Sequence, residues 1–403
     1  MPIPRIAILH QGCIPVYRRA FYDRLARVQG REYVVVYGDP EPNSGILAAE
    51  PPFAFSSIHV RNRYLSLFGR SVAFQSAVSP VLNGDFSALV VGHEIKYIAS
   101  DLLLLFFRLM GKPVLLWGHG QTNDYFRSKR SLPGRVLGRM VEWVKSCMIR
   151  MASGYMAYTD RGAEYVAKIG MPRDRISVLW NTLDVSEVIA AAYGAETLDR
   201  AALRRELGIA EGAIVLLFIG RLYGPKKVDV LIDVAKQLRE TYGLPVELVV
   251  VGSGPDEAAL KARCADASWC KFLGPIFDPK PLSRIFRVAD TVVLPGKVGL
   301  VINHSFAFGL PVITCRQDVQ PPEIEYLTDG VNGLILEGSV GLLEGLRHFA
   351  ISEDLRNRLT RGAIETRQKL DLQHMVDQFD AAVARVLPQT SMGDRVERRR
   401  LAP

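Results

Sequence analysis

The chain has 403 residues, of which 48% are hydrophobic and 23% charged, and carries a formal net charge of +8. That length suits two domains with full cores, and that composition excludes a disordered or fibrous chain. The positive balance points to nucleic acid, a membrane surface or an anionic ligand. No DNA- or RNA-binding signature accompanies it, so a membrane surface and anionic ligands are the favoured class and no nucleic-acid partner is expected. The five cysteines, Cys13, Cys147, Cys264, Cys270 and Cys315, are odd in number and lack metal-ligand spacing, which reads as free thiols in a reducing compartment. The chain opens without a long apolar leader, and its longest apolar run, residues 102–110, is broken by Arg108 and too short to span a bilayer. A cytoplasmic location is the expectation.

In chain order, Arg5–Leu9 reads as a strand, residues 10–18 (HQGCIPVYR) as the loop after it, and residues 19–28 as a helix. Gly12 sits where the first strand of a Rossmann-like domain delivers its loop to a ligand crevice, with a plain strand-to-helix turn as the alternative. Residues 33–37 form the second strand, and residues 39–80 look irregular and polar. Residues 88–91 form a strand ending in Gly92-His93-Glu94, residues 101–110 an apolar core helix, and residues 113–117 a strand ending in Gly118-His119-Gly120. A histidine between glycines at the C-terminal end of a parallel strand points into the ligand crevice, weighed against a satisfied core histidine.

Residues 127–150 are basic and amphipathic: Leu137, Met140, Val144 and Cys147 share one helical face, with Arg135, Arg139, Lys145 and Arg150 elsewhere. That suits an anionic bilayer, at about 1 kcal/mol per cation near the surface, or a core-packed helix with a solvated basic side. Residues 154–158 and 176–180 are the last strands of the first half, and residues 185–212 read as a linker.

The second half alternates strands (residues 214–219, 246–251, 271–273, 291–294, 312–314 and 334–336) with helices, which predicts a parallel sheet. Residues 220–229 (GRLYGPKKVD) place Arg221 and Lys226 on a loop between a buried strand and an amphipathic helix. Two cations there suit a diphosphate: arginine grips oxygens bidentately and lysine adds a point charge. The bland alternative is a solvated basic loop. Residues 295–315 (PGKVGLVINHSFAFGLPVITC) read as strand end, glycine loop, short helix and strand. Gly299 lets the backbone approach a ligand, and the N–H groups around Leu300, Val301 and Asn303 favour an anion, against ordinary strand–helix packing. Residues 337–367 and 373–387 are largely helical, and the tail at 388–403 is polar, basic and expected to be disordered.

The pieces GRL-x3-K-x-VD, VVVGSGP (249–255), FLG (272–274), VADTVVLPG (288–296), GLV-x7-GLPVI (299–313) and PEIEYLTDGVNGLI (322–335) occur in that order. Together they resemble the donor-binding half of the family 4 glycosyltransferases, retaining enzymes with two Rossmann-like domains. The resemblance is close over about residues 214–336 and looser elsewhere.

It implies an α/β, GT-B type fold: two Rossmann-like domains with parallel sheets facing across a cleft that closes around the donor. The domains would be an acceptor-side domain at 1–185, a linker at 186–212, a nucleotide-sugar-binding domain at 213–370 and a helix at 371–387 crossing back to the first domain. It implies metal-independent transfer from a nucleotide diphosphate sugar to a glycan or lipid-linked acceptor, no cofactor, and a role in surface polysaccharide assembly on the inner face of the cell membrane.

His119, Arg221 and Lys226 are the catalytic candidates. The donor-binding candidates are Gly12, Gly220, Gly252, Gly299, Leu300, Val301, Asn303, His304 and Glu323, besides the two cations. Tyr17 and Arg18 are weaker candidates. Glu323 either orients Arg221 or Lys226 or caps the helix that follows it. The family carries two glutamates around the glycine loop, where this chain has Gly296 and His304. Their absence implies a different donor sugar or lost activity. A nucleotide-sugar epimerase of the same architecture and an inactive sugar-nucleotide-binding partner therefore stand as rival readings.

Overall fold

A computed structural model describes residues 3–388 except 11, 43, 45, 68–69, 95, 121–131, 194–198 and 266, and the backbone alone at 67, 70 and 132–137. The tail expected to be disordered lies outside the described residues from 389 onward. The chain divides into two compact units, Met1–Leu179 with Val376–Pro403, and Trp180–Met375.

The first unit begins with β1 (Arg5–Leu9), α1 (Val16–Leu25), β2 (Glu32–Tyr37), β3 (Ser56–His59), β4 (Asn62–Leu67), β5 (Arg70–Gln75), α2 (Val78–Leu82) and β6 (Ala88–Gly92). It continues with α3 (Ile98–Leu109), β7 (Val114–Gly118), α4 (Leu132–Met151), β8 (Gly154–Ala157), α5 (Asp160–Ile169) and β9 (Ile176–Val178). Seven strands make one sheet in the order β3-β2-β1-β6-β7-β8-β9, and every recorded pairing in it is parallel. Ile6, Ala7, Ile8 and Leu9 of β1 are all buried, the continuous apolar run of a strand covered on both faces.

Three readings of this unit need correction. The stretch at 39–80 is not irregular: β3 adds to the sheet edge, and β4 and β5 pair as an antiparallel hairpin. Their polar residues (SSIH, NRYLSL) hide the alternation that marks a strand. Helix α1 starts at Val16, because Pro15 takes the extended N-cap position ahead of it. Helix α3 is not wholly core: Ala99, Leu103, Leu104 and Phe107 are buried, while Leu102, Leu105, Phe106 and Leu109 are exposed.

The second unit holds α6 (Ser186–Tyr193), α7 (Arg200–Glu206), β10 (Ile214–Ile219), α8 (Val228–Glu240), β11 (Val246–Val251), α9 (Glu257–Arg263), β12 (Cys270–Phe272) and α10 (Pro279–Val288). It continues with β13 (Thr291–Leu294), α11 (Val301–Ala307), β14 (Val312–Cys315), β15 (Gly333–Leu336), α12 (Gly338–Ile351) and α13 (Glu353–Arg367). Its six-stranded sheet runs β12-β11-β10-β13-β14-β15, again parallel. Val228, Leu231, Ile232, Ala235 and Leu238 of α8 recur at helical spacing and are buried in its core. The segment read as a linker, 186–212, is folded: α6 and α7 pack on α10, and Val188 and Leu203 join the same core. Their alanine- and arginine-rich sequence masks the few apolar anchors.

The last helix, α14 (Leu372–Val386), starts in the second unit, and its residues from Val376 belong to the first. There Phe379 packs edge-on to Phe21 and Trp117, each at 5.3 Å, and Asp380 accepts a hydrogen bond from the Tyr33 hydroxyl at 2.6 Å.

In each sheet the strand order reverses beside the first strand, between β1 and β6 and between β10 and β13. A crevice outside the C-terminal strand ends opens at such a switch point. The candidate residues fall on the loops there.

Candidate functional site

In the second unit, the loops after β10 and β13 are stitched together. Gly296 N–H donates to the Lys226 carbonyl at 3.2 Å, and Lys297 N–H to the Pro225 carbonyl at 3.1 Å. The Lys226 ammonium donates to the Lys297 carbonyl at 2.6 Å. A Cβ on Gly296 would lie 2.1 Å from the Pro225 carbonyl oxygen, so no side chain fits there. Where the resemblance implies a glutamate, a backbone-to-backbone contact stands instead. Gly299 differs: a Cβ there would meet only the Lys226 ammonium, at 3.7 Å, which leaves room above the loop. Gly252, at φ +137°, has backbone behind it; a Cβ would sit 1.9 Å from the Gly220 carbonyl oxygen. These glycines let the strand-end loops close on each other.

Arg221, Lys226, Lys297 and Glu323 bring charge to these loops. Arg221 is exposed, with its guanidinium 5.7 Å from the Tyr223 ring centroid. Burial holds the Lys226 ammonium below its ordinary pKa, and Glu323 partly restores it. Glu323 is 6% exposed and accepts a hydrogen bond from the Asn181 side chain at 3.3 Å. The turn that carries it, Pro322–Tyr326, has Pro321 at its N-cap and no side-chain cap hydrogen bond, and Glu323 acts on Lys226 through its charge.

Two candidates sit otherwise than the sequence implies. Asn303 is buried, donates to the Leu300 carbonyl at 3.0 Å, and accepts from the Thr182 hydroxyl at 3.2 Å. Its side chain fastens the helix start. The Ile302 and Asn303 N–H groups bond to the Gly299 and Leu300 carbonyls, so these two donors are already used within the turn. His304 lies flat on Phe286, with ring centroids 5.6 Å apart and planes 8° apart. Burial lowers its pKa to about 4, so it offers a ligand a neutral ring edge.

Sequence reading missed Gln317 and Gln320. Gln320 accepts from the Val298 N–H at 3.1 Å, and Gln317 donates to the Pro295 carbonyl at 3.0 Å, bracing the glycine loop from β14. Two glutamines in a short polar run after a buried strand were the available signal. A cavity of about 530 Å³ adjoins the loop and is lined by Tyr223, Lys227, Asp256, Arg263, Pro295 and Gln317 among others; Arg221, Lys226 and Gly299 do not line it.

In the first unit, β1, β6 and β7 deliver His10, His93 and His119 to one edge of the sheet. The glycines around His119 are required by packing. A Cβ on Gly118 would lie 3.2 Å from the His93 Cβ, and one on Gly120, at φ +76°, would lie 2.5 Å from the Gly162 carbonyl oxygen. The Tyr155 hydroxyl accepts from the Gly120 N–H at 2.9 Å and bonds His93 Nδ1 at 2.9 Å. His119 itself is exposed and meets Tyr158 edge-on at 4.5 Å. Its crowded surroundings, then the Lys145 ammonium, push its pKa down, so the imidazole is neutral at pH 7.

Gly12, at φ +94°, faces the Tyr97 hydroxyl and lines a cavity of about 210 Å³ together with His10, Tyr17, Arg18, Trp117 and Tyr158. Arg18 is 5% exposed, its guanidinium 5.3 Å from the Trp117 ring. The Trp117 indole nitrogen is buried without a hydrogen-bond partner among the described residues. Of the basic stretch at 127–150, residues 127–131 and the side chains of Arg135 and Leu137 lie outside the described residues. Val144 packs on the core, while Met140 and Trp143 are exposed. Among the described residues no group of three or more His, Cys, Asp or Glu could hold a metal ion, and no helix is long and apolar enough to cross a membrane.

Residues 213–347 match the family model described as Glycosyl transferases group 1. Curated relatives carry the name D-inositol 3-phosphate glycosyltransferase. That of Actinosynnema mirum is 34% identical over 182 residues, 41% of this chain and 43% of the relative. That of Kribbella flavida is 30% identical over 254 residues, 59% of this chain and 56% of the relative. The chain thus spans about half the length of the curated relatives it matches. Among solved structures, Anabaena HepE in complex with UDP superposes with a TM-score of 0.67 at 17% identity, over 94% of this chain and 100% of that one. WaaG, a glycosyltransferase involved in lipopolysaccharide biosynthesis, gives 0.63 at 18% identity, over 95% of this chain and 100% of that one. At these identities the likeness shows the fold, an α/β architecture with parallel sheets of the GT-B type.

Proposed function

Residues 213–347 carry a glycosyl transferases group 1 segment, and from that premise we propose that the protein moves a sugar from a nucleotide diphosphate sugar to a hydroxyl of a glycan or lipid-linked acceptor. Anomeric configuration is retained, as the family 4 resemblance implies, and the reaction belongs to surface polysaccharide assembly. The protein works at the inner face of the cell membrane, held there without crossing it. HepE has been solved with UDP and with UDP-glucose, which makes uridine diphosphate sugars the first donors to test.

The observation that carries the reading is the joined pair of loops at the β10–β13 switch point, with the Lys226 ammonium 2.6 Å from the Lys297 carbonyl and Arg221 open to solvent beside it. A departing diphosphate is the main charge to stabilise in such a transfer. Arg221 grips it bidentately, Lys226 adds a second cation, and the Gly299–Val301 backbone lets the phosphates come close. One well-placed donor of this kind contributes roughly 2.7–4 kcal/mol to the transition state. His119, neutral at pH 7, serves as a hydrogen-bonding group to the sugar or acceptor rather than as a second cation.

One observation favours a rival. With the family glutamates replaced by Gly296 and His304, the protein would bind sugar nucleotide without turning it over. The test is release of nucleoside diphosphate from a panel of nucleotide sugars, with and without a membrane-glycolipid extract as acceptor. Acceptor-dependent release that His119→Ala reduces supports the transferase. Binding without release supports the inactive partner, and an isomerised sugar nucleotide formed without acceptor supports the epimerase; either result overturns the proposal.

A further inference from the structure

We propose that the outward face of α3 is a docking surface for an anionic lipid bilayer; this rests on the membrane reading above and assigns the element that enters the lipid. Leu102, Leu105, Phe106 and Leu109 are 43%, 45%, 41% and 75% exposed, and Met110 after them is 50% exposed. Their spacing is that of one helical stripe. The opposite stripe, Ala99, Leu103, Leu104 and Phe107, is buried in the core of the first unit. A helix bathed only by water pairs an apolar inner face with a polar outer one; α3 is apolar on both. Contiguous exposed apolar residues on this scale mark an interaction surface.

The surroundings identify the partner. Arg108 is exposed at the margin of the stripe, where it donates to the Ser153 hydroxyl at 3.4 Å, and Lys112 follows its end, donating to the Phe86 carbonyl at 2.7 Å. Helix α4 packs beside α3 and exposes Arg139, Met140 and Trp143, the last at 65%. Apolar residues fringed by cations, with a tryptophan at the margin, have the composition of an interfacial helix on anionic headgroups. A second copy of this chain fits less well: a symmetric contact through the stripe would bury Arg108 in apolar surroundings, and no residue of the stripe supplies a carboxylate for it. Helix α3 has 12 residues, too few to cross a bilayer, so it lies along the surface.

The test is co-sedimentation of the full chain with phosphatidylcholine vesicles, with and without phosphatidylglycerol, at low and high salt. Wild type is expected to pellet with the phosphatidylglycerol vesicles and to be released by salt. The variant Leu105→Glu/Leu109→Glu should lose about tenfold or more in vesicle partition, with an unchanged circular dichroism spectrum. Should that pair fail to fold, Leu105→Ser/Leu109→Ser should show the same loss at smaller size. A folded variant that pellets like wild type overturns the α3 assignment and leaves the membrane reading standing. Wild type remaining in the supernatant with both vesicles sinks the membrane reading and α3 with it. A wild-type dimer converted to monomer by the variant makes the face an interface between copies and overturns the lipid assignment.

Discussion

Two loops at the C-terminal ends of parallel strands, 295–299 in the second unit and 118–120 in the first, meet the same requirement by different chemistry. Both must bring backbone within contact of backbone, and both use glycine where a Cβ would clash: Gly296 on the Pro225 carbonyl, Gly120 on the Gly162 carbonyl. The second-unit loop is then fastened by a cation, Lys226, bonded to the Lys297 carbonyl. The first-unit loop is fastened by a neutral hydroxyl, Tyr155, which serves both Gly120 and His93. A loop fastened by a cation presents positive charge to an anionic ligand. A loop fastened by a phenol and backed by a buried histidine presents a neutral hydrogen-bonding edge. On the proposed reading, the difference places the diphosphate on the second unit and leaves His119 for uncharged hydroxyls.

That contrast can be broken by substitution. Arg221→Ala should have the largest effect, lowering kcat/KM by about two orders of magnitude, the loss of one charge-stabilising donor worth roughly 2.7–4 kcal/mol. Steady-state kinetics with a nucleotide sugar that wild type turns over in the release assay would check it, and a near-normal rate would remove Arg221 from the machinery. The first-unit loop should respond instead to acid. Burial, then the Lys145 and His119 neighbours, hold His93 at a pKa of about 3, below its ordinary 6.5. Native His93 therefore binds fewer protons than unfolded His93 between those values, so its neutral burial costs nothing above about pH 6.5 and stability falls by up to about 1.4 kcal/mol per pH unit as pH drops towards 3. Thermal unfolding from pH 7 to pH 4 should show that slope, and His93→Gln should flatten it; equal slopes would mean that the histidine is not buried neutral.

Gly296→Ala sharpens the comparison at an intermediate size. A Cβ 2.1 Å from a carbonyl oxygen forces the two loops apart, at about 1–3 kcal/mol of stability, with donor affinity lost as well. Restoring the family residue by Gly296→Glu should likewise weaken donor binding; a gain would show that the loop is free to reopen. The smallest effect is expected from Glu323→Gln. Glu323 raises the pKa of Lys226 against the lowering by burial. Its loss lets Lys226 deprotonate more readily, so the alkaline limit of donor binding should move to lower pH, with less than about tenfold change in affinity near neutrality. Titrating donor affinity against pH in both proteins would reveal an unmoved limit if Glu323 acts elsewhere.

The second unit was the more legible in sequence, for physical reasons. Its strands are continuous apolar runs, and its loops carry Gly220, Gly252, Gly296 and Gly299, of which Gly252 and Gly296 mark where backbone meets backbone. The first unit signals less. Strand β3 and the β4–β5 hairpin are polar and lie at or beyond the sheet edge, so no apolar alternation announces them. The buried chain from His93 through Tyr155 to Gly120 joins residues far apart in sequence, and nothing local marks it. Helix α3 misled because uniform apolarity reads as core, whereas its outer stripe is exposed. Asn303 misled differently: a helix start suited to an anion in sequence is already occupied by Thr182 and the turn carbonyls.

The most direct measurement is thermal unfolding with a panel of nucleoside diphosphates and their sugar conjugates, on wild type and Arg221→Ala. A ligand at about 100 times its dissociation constant should add roughly 2.7 kcal/mol to the native state. The account predicts stabilisation of wild type by one base and its loss in the variant. Wild type unmoved by every nucleotide, or a variant stabilised as much as wild type, would contradict a diphosphate site built on the loops after β10 and β13.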